Sequence, residues 1–280
     1  MFHYNILSAM ETIKRVFSKK NRALLSELVR TDFKLRYQGS VLGYAWSLLR
    51  PLMMFAILYV VFVKFIPLGK DVPHYPAYLL LGIVLWTFFA DMTTQSLGSI
   101  VGRGDLIRKI KIPRWMIVFS SSINALINLG LNLAVVLVFA ALNGVDFLKT
   151  GVFLPVLLLE IYLFALGISL FLAAAFVRFR DIGYVWEVAL QAGFYLTPIL
   201  YPLAMIKNEL AQKLILLNPI AQAIQDARYS VVSHDDTIIT IHKVFEGGWY
   251  RLIPFAIVLT ALLVGLTYFR AKSPTFAEDL

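Results

Sequence analysis

Six long apolar blocks constrain this chain more than any other feature of its sequence. Each is close to the roughly 20 residues that a helix needs to cross the hydrocarbon core of a bilayer. Because lipid offers no hydrogen-bond partners to an exposed backbone, blocks of this length predict membrane-spanning helices. The predicted spans cover residues 46–66, 76–100, 115–142, 152–177, 183–202 and 251–270. We therefore expect an all-α, polytopic integral membrane protein with six transmembrane helices.

The composition favours a membrane protein over a soluble one. Hydrophobic residues make up 59% of the chain and charged residues 15%, whereas soluble domains are nearer a half and a quarter. The net charge of +9 does not require a nucleic-acid partner, since Lys and Arg collect on the cytoplasmic side of membrane proteins. The absence of cysteine excludes disulfides and thiol chemistry. The first twenty residues lack a compact apolar region, so no cleaved signal peptide is expected.

The distribution of Lys and Arg predicts the orientation of the spans. Eighteen of the 26 basic residues fall on one side of the predicted membrane, in the N-terminal segment, the second and fourth loops and the C-terminal tail. The positive-inside rule assigns that side to the cytoplasm. We therefore expect a cytoplasmic segment over residues 1–45, a transmembrane domain over 46–270 and a tail over 271–280, with both termini cytoplasmic.

Two stretches outside the spans mix apolar and charged residues. Residues 23–38 have the spacing of an amphipathic helix, which either lies at the membrane interface or packs on a partner protein. The second loop, residues 102–114, could be a solvated positive loop, but its interleaved aliphatic residues favour docking in the groove of a partner. The candidate coupling residues in this loop are Arg103, Asp105, Leu106, Arg108, Lys109, Lys111 and Pro113.

Residues 197–231 do not have the pattern of a simple span. Pro198 and Pro202 interrupt the end of the fifth apolar block, and a helix interior tolerates proline poorly. Residues 203–231 form two amphipathic stretches that are separated by Pro219. We predict two short helices that dip into the outer leaflet or cap the structure, followed by an exposed outer loop.

Polar residues recur at four-residue spacing in the second, third and fifth spans, which places them on one face of each helix. A carboxylate at mid-membrane is costly unless it is paired, protonated or exposed to water. Two interpretations fit these residues: hydrogen bonds between helices, or a polar path. The accompanying aromatic rings suit either a belt at the interface or the wall of that path. The candidate path residues are Trp86, Phe89, Asp91, Asn124, Asn128, Glu187, Gln191, Tyr195 and Tyr201.

Sequence signatures of catalysis and cofactor binding are missing. The chain has no Gly-x-x-x-x-Gly-Lys-Ser/Thr loop for nucleotide phosphates and no Gly-x-Ser-x-Gly nucleophile motif. The four histidines do not have the spacing of metal ligands. We therefore expect no catalytic residue, no metal and no cofactor in this chain.

The stretch that leads into the first span strongly resembles a known family. The matching positions are Asp32, Arg36, Tyr37, Ser40, Leu42, Gly43, Trp46 and Pro51. Further matching positions are Arg178, Arg180 and Asp181 in the fourth loop, Thr197-Pro198, and Asn218-Pro219. They resemble the ABC-2 type permeases that export polysaccharides, which are the membrane subunits of O-antigen, capsule and teichoic-acid ABC exporters. The resemblance covers nearly the whole chain and the same order of six spans.

The resemblance implies a fold, partners and a location. The fold would be that of ABC-2 (type V exporter-like) permeases. The chain would form a homodimer bound to two copies of a separate ATPase subunit, which holds the ATP and magnesium. Residues 102–114 would be the coupling loop to that ATPase, and residues 203–231 would be outer gate helices. The location would be a bacterial cytoplasmic (inner) membrane.

The resemblance also implies a cargo. The expected activity is export of an undecaprenyl-linked polysaccharide, with O-antigen as the first expectation, through a lumen between protomers. The alternatives are a teichoic-acid or capsule exporter of the same family, and an ABC-2 exporter of a small amphiphile or drug. Outside transport, the alternative is a membrane-embedded enzyme on lipid-linked sugars, with Asp91 or Glu160 as an acid or base.

Overall fold

The computed structural model describes residues 19–66, 68–109, 112–147, 149–245 and 248–279. The segment before residue 19 lies outside these ranges, as do Lys111 and the side chains of Arg36 and Tyr37. Every regular element within them is helical, which confirms the predicted all-α class. The α-helices are α1 (Lys19–Tyr37), α2 (Ala45–Tyr59), α3 (Tyr75–Leu97), α4 (Gly104–Lys109), α5 (Trp115–Leu142), α6 (Leu154–Arg178), α7 (Ile182–Leu196), α8 (Glu209–Leu216), α9 (Pro219–Val231), α10 (Ile241–Val244), α11 (Ile253–Lys272) and α12 (Phe276–Asp279).

Among the described residues, five helical segments are long and apolar enough to cross a membrane. They are Ala45–Phe65, Tyr75–Leu97, Trp115–Leu142, Thr150–Arg178 and Ile253–Asp279. The first joins α2 to a π-helical turn, Val60–Phe65, and the fourth joins a 3₁₀ turn to α6. The predicted number of six spans is therefore not confirmed by helix length.

The fifth predicted span, residues 183–202, corresponds to the shorter helix α7. Its 15 residues give a length of about 22 Å, less than the roughly 30 Å of a hydrocarbon core. The helix ends at Leu196 because Thr197 has an extended backbone with ψ of 134°, as expected for a residue that precedes proline. The predicted end at residue 202 is thus corrected to residue 196.

Helix α3 is the centre of the protomer. It packs against α5 and α6 along most of its length, and residues on all sides of it are buried, among them Leu79, Leu80 and Leu81. A helix that is apolar around its whole circumference is buried in this way. By contrast, α2 leaves large apolar side chains such as Met53 and Ile57 exposed, so it lies at the edge of the single protomer.

Helices α6 and α11 cross at very close range. A Cβ atom at Gly167 would lie 2.6 Å from the backbone of Ala261 and Leu262, and one at Gly265 would overlap the backbone of Gly167. Small residues allow the two backbones to approach closely. Such close packing stabilises helix pairs in a membrane, because the hydrophobic effect does not drive helices together in lipid. The last span is therefore fixed to the fourth by shape.

Two short helices follow α7, within the predicted range of 203–231. Asn208 caps α8 by accepting hydrogen bonds from the amides of Leu210 and Ala211, and Asn218 caps α9 by accepting one from Ile220. Pro219 occupies the first turn of α9, where its missing N–H costs nothing. Most of α9 is buried against α3 and α6, so this helix is part of the core.

Candidate functional site

A charged network joins α1 to the second loop and to α5 at the end of the molecule that the distribution of Lys and Arg predicts to be cytoplasmic, which is called the inner end below. Arg103, at the end of a 3₁₀ turn, forms an ion pair with Asp32 of α1. Ser120 of α5 donates a hydrogen bond to Asp32 Oδ2 at 2.8 Å and accepts one from Arg103 Nη1 at 3.3 Å. The two charged side chains are only 20% and 16% exposed, which strengthens charge-assisted bonds. Asp32 thus links the stretch before the first span directly to the predicted coupling loop.

The turn between α1 and α2 is built by the small residues of the same stretch. Gly39 and Gly43 have φ of +78° and +47°, the left-handed region that favours glycine. Ser40 Oγ accepts a hydrogen bond from the Gly43 amide at 3.2 Å. The rings of Phe33 and Tyr44 pack across the turn in a tilted arrangement, with centroids 4.1 Å apart and an angle of 31° between the ring planes. These contacts hold α1 at a fixed angle to the first span.

The predicted coupling loop divides into an inward and an outward side. Ile107 is buried in the inner core with Ile100 and Ile117, so it packs within this chain and is not free to dock elsewhere. Leu106 and Pro113 are partly buried, and Arg103 turns inward to Asp32. The exposed residues are Asp105, Arg108 and Lys109, with Arg108 donating to Asp105 at 2.9 Å. Lys111 lies outside the described residues. The outward surface of α4 is therefore charged.

A groove of about 730 Å³ lies between α2, α3 and α5. Three predicted path residues line it, Trp86, Asp91 and Asn128, together with Trp46 and Arg50 of α2. Arg50 Nη1 lies 3.8 Å from Asp91 Oδ1, and the Asp91 side chain is 25% exposed. Ser40 and Pro51 of the predicted family motif also line the groove. The structure therefore brings the motif and part of the path together.

The other predicted path residues lie elsewhere. Phe89 is buried and stacks on Phe164 of α6 with centroids 5.8 Å apart. Asn124 faces α1, where its amide donates to the Val29 carbonyl at 3.4 Å. Tyr201 donates to the Tyr195 carbonyl at 3.2 Å, at the end of α7. For Phe89 and Asn124, packing and hydrogen bonding between helices describe the observed contacts.

Helix α7 presents an exposed face in the single protomer. Glu187, Gln191 and Tyr195 lie on it at four-residue spacing, and all three are exposed. Apolar residues such as Val185 and Val188 share this exposure. Six of the nine predicted path residues thus fall on two surfaces, the groove and the exposed face of α7, and Phe89, Asn124 and Tyr201 lie on neither.

The fourth-loop motif lies apart from both surfaces. Arg178 ends α6, and its guanidinium lies 5.7 Å from the centroid of the Phe179 ring. Arg180 lies 5.2 Å from the ring of Phe176. Asp181 precedes α7 and makes no side-chain capping hydrogen bond. The motif forms the tight connection between the fourth span and α7.

Sequence reasoning missed the most buried charge of the structure. Arg228 of α9 is fully buried, and its guanidinium lies 3.5 Å from the centroid of the Tyr78 ring. It donates to the carbonyls of Tyr78, Pro198 and Ile199 at 3.0, 2.5 and 2.8 Å, and to Gln225 Oε1 at 3.0 Å. The carbonyls of Pro198 and Ile199 lie beyond the end of α7 and therefore accept no hydrogen bond within that helix. Arg228 therefore satisfies the backbone of a broken helix, which lipid would not.

A polar cluster lies between α6 and α9. Glu160 is 4% exposed, and neither of its carboxylate oxygens has a hydrogen bond of ordinary length within the described part of the chain. Gln222 Nε2 donates to Asp226 Oδ2 at 2.6 Å on the adjacent face of α9. Glu160 thus faces a neighbouring helix and not the groove. The residues described contain no group of three side chains that could hold a metal ion.

Comparison with known proteins identifies the family. Residues 23–232 match the family described as ABC-2 type transporter, and this range runs from the inner network to the end of α9. The chain belongs to the ABC-2 type transporter family. An ABC-2 membrane subunit is a multi-pass component of a transporter and implies an ABC ATPase partner. The matched range contains Asp32, Arg103 and Arg228, so the inner network and the buried arginine both lie within the family domain.

Curated ABC-2 relatives resemble the chain over nearly its whole length. One from Myxococcus xanthus, named "O-antigen export system permease protein RfbA", is 29% identical over 92% of this chain and 96% of its own length. Two from Klebsiella pneumoniae with the same name are 29% and 30% identical, each over 92% of this chain and 95% of their own length.

Proposed function

We propose that this chain is the membrane subunit of an ATP-driven exporter that moves an undecaprenyl-linked polysaccharide, with O-antigen as the first candidate, out of the cytoplasm. The observation that carries the proposal is the match to O-antigen export permeases across 92% of the chain. The protein works in a bacterial inner membrane with both termini in the cytoplasm. Two copies assemble with two copies of an ABC ATPase subunit, which supplies the hydrolysis.

The chemistry of the groove suits a glycan. Trp46 is exposed and offers its ring face to the C–H faces of sugars, and Asp91, whose side chain is 25% exposed, offers acceptors to hydroxyl groups. A mainly apolar pocket with a few placed polar groups is the usual composition of a ligand site. The Arg50–Asp91 pair has exposed surface on both partners, so a passing polymer can exchange hydrogen bonds with it without leaving a buried charge unpaired.

The inner network gives the route by which the ATPase acts on the path. Closure of the ATPase dimer pushes the exposed side of α4. Arg103 moves with the loop and pulls Asp32 and α1, and the rigid turn at Gly39 and Gly43 passes that movement to the first span. The first span and α7 then move apart, and the lumen between protomers opens.

Loss of the chain tests the cargo. Deletion of its gene is expected to remove surface polysaccharide and to cause the glycan-lipid intermediate to accumulate on the cytoplasmic face of the inner membrane, and complementation restores export. The measurements are surface immunostaining and extraction of lipid-linked glycans. Normal surface polysaccharide without an internal intermediate would overturn the proposal. The composition of the accumulated glycan distinguishes O-antigen from capsule and teichoic acid.

Charge reversal on α4 tests the coupling. The double variant Arg108→Glu and Lys109→Glu is expected to weaken association with the ATPase, or to uncouple hydrolysis, because both cations are exposed on the outward side. Membrane insertion stays unchanged. The matched control is Lys207→Glu with Lys213→Glu, two cations at the opposite, outer end. Normal assembly and transport by the α4 variant would remove this helix from the mechanism.

A further inference from the structure

A second cavity, of about 1,090 Å³, opens at the inner end of the molecule. It lies between α1, α5, α6 and α11, and it is separate from the groove that was described above. Its volume is slightly above the range of roughly 300–1,000 Å³ that is usual for ligand pockets.

The mouth of this cavity is positively charged. Arg22 comes from α1, Arg114 from the residue before α5, and Arg270 from the last turn of α11. No Asp or Glu lines the cavity within the described part of the chain. Arg114 donates to the carbonyl of Ser273, and Arg22 and Arg270 are exposed. Three cations from three separate elements therefore line this cavity, and no carboxylate of the described residues lines it with them.

The interior of the cavity is apolar. Leu266 lies one helical turn before Arg270 along α11, away from the end of that helix, and Leu166 lies one turn before Leu170 along α6. All three leucines line the cavity. One turn is about 5.4 Å, so the apolar wall extends from the level of the arginines toward the hydrocarbon core. The cavity is thus amphipathic along the membrane normal, as a lipid is.

We propose that this cavity binds one anionic phospholipid of the inner leaflet. Its phosphate lies among Arg22, Arg114 and Arg270, and an acyl chain lies along Leu170 and Leu266. Basic pockets between transmembrane helices on the cytoplasmic side are suited to anionic head groups. A soluble anion would leave the apolar wall uncovered, and a zwitterionic lipid would leave the cations without a net counter-charge. The lipid fixes α1 to α11 beside Pro113 of the coupling loop.

The test measures which lipid the full-length protein retains. The protein is purified from mixed phosphatidylglycerol and phosphatidylcholine, and its tightly held lipids are counted by native mass spectrometry. The variant Arg22→Gln with Arg270→Gln removes two cations of the mouth. The matched control, Arg30→Gln with Lys34→Gln, removes two exposed cations from α1 outside the cavity. We expect the cavity variant to retain at least about tenfold less phosphatidylglycerol and the control to retain the wild-type amount.

A second variant keeps every charge and fills the interior. Leu266 is partly buried in the wild type. The variant Leu266→Trp places a larger ring in the apolar part of the cavity, and we expect it to lose the bound lipid as the arginine variant does. It decides the matter if the arginine variant does not survive purification. Equal retention by wild type and both cavity variants would overturn the proposal, and so would an equal loss in the control.

Two further probes separate the source of the anion. Excess glycerol phosphate, which has the head group without acyl chains, is expected to leave the bound phosphatidylglycerol in place. Added undecaprenyl phosphate is expected to displace bound phosphatidylglycerol from the cavity no better than added phosphatidylglycerol does. Displacement by glycerol phosphate would show a site for free anions, and exclusive retention of undecaprenyl phosphate would show a cargo site. Either result would refute the phospholipid assignment, and neither depends on which polysaccharide is exported.

Discussion

The inner and outer ends of this molecule each contain an arginine that joins three segments of the chain, but the two arginines have different partners. Arg103 at the inner end faces one carboxylate, Asp32, and one hydroxyl, Ser120, and remains 16% exposed. Arg228 at the outer end is fully buried and donates to three backbone carbonyls and one side-chain amide. No carboxylate is among the hydrogen-bond partners described for Arg228.

The difference indicates which end can move. The Asp32–Arg103 pair keeps some contact with solvent, so water can replace part of its interaction when the two side chains separate. A buried guanidinium that satisfies backbone carbonyls cannot leave without exposing several unpaired groups. We therefore expect the inner end to rearrange during transport and the outer arginine to hold its neighbours in one arrangement.

The largest effect is expected from Arg228→Ala. Removal of the guanidinium leaves the carbonyls of Pro198 and Ile199 unpaired in the core, and each buried acceptor left without a donor costs about 1–3 kcal/mol. The free energy of unfolding of the purified protein in detergent measures the loss. The control is Lys213→Ala, whose exposed pair with Glu209 is worth less than about 1 kcal/mol. Equal stability of the two variants would mean that Arg228 does not hold the outer end together.

A glycine beside Arg228 gives the next largest effect. A Cβ at Gly82 would overlap the guanidinium, so Gly82→Ala is expected to displace it and to cost about 1–3 kcal/mol by overpacking. The matched variant is Gly130→Ala, also within a span, where a Cβ would meet nothing within 4 Å. That variant is expected to gain up to about 1 kcal/mol from helix propensity. Stability that rises in both variants would mean that Arg228 is free to move.

The inner pair is expected to matter more for transport than for stability. Asp32→Asn and Arg103→Gln should each weaken unfolding stability modestly, and a double-mutant cycle should give a coupling of about 0.5–3 kcal/mol. Transport is expected to fall further than stability in both single variants, since the pair links the loop to α1. The exchange Asp32→Arg with Arg103→Asp should recover part of the transport. Recovery of stability without transport would mean that the pair only holds the fold.

Features that depend on neighbouring residues could be predicted from the sequence. Five long helices follow from apolar length, the turn before α2 follows from Gly39 and Gly43, and the starts of α8 and α9 follow from Asn208 and Asn218. The predicted fifth span extends beyond the end of α7 at Leu196, because the apolar sequence continues through Ile199 and Leu200. The Thr197-Pro198 pair was the signal that ends the helix.

Features that depend on distant contacts could not be predicted. Arg228 meets Tyr78 across 150 residues of sequence, and in the sequence it is one cation in an amphipathic stretch on the outer side. The alanines at 221, 223 and 227, all fully buried, were a local sign that its helix packs closely on every side. The close crossing of Gly167 and Gly265 had no such sign. Only some of the candidate path residues line the same groove. A four-residue spacing predicts which side chains share a helix face, but it does not predict which other helix that face packs against.

The smallest effect is expected in the outer loop, and it tests whether Arg228 alone fixes the outer end. Asp235 Oδ1 accepts hydrogen bonds from the amide and hydroxyl of Thr237 at 2.8 and 2.7 Å, and these bonds hold the pKa of Asp235 below its ordinary value. A lowered pKa means that the turn is stabilised above the ordinary carboxyl range, near 3.9, and that this stabilisation is lost as pH falls through the folded pKa.

The amide resonance of Thr237 reports this titration directly. In the wild type its midpoint is expected below about 3.9, and in Asp235→Asn the transition disappears. In Asp236→Asn, which loses only a pair with Lys243, it remains. If Arg228 fixes the outer end, thermal stability at neutral pH stays the same in all three proteins, because this turn lies outside the buried arginine's contacts. A fall in stability in Asp235→Asn as large as that in Arg228→Ala would instead assign the rigidity of the outer end to its loop.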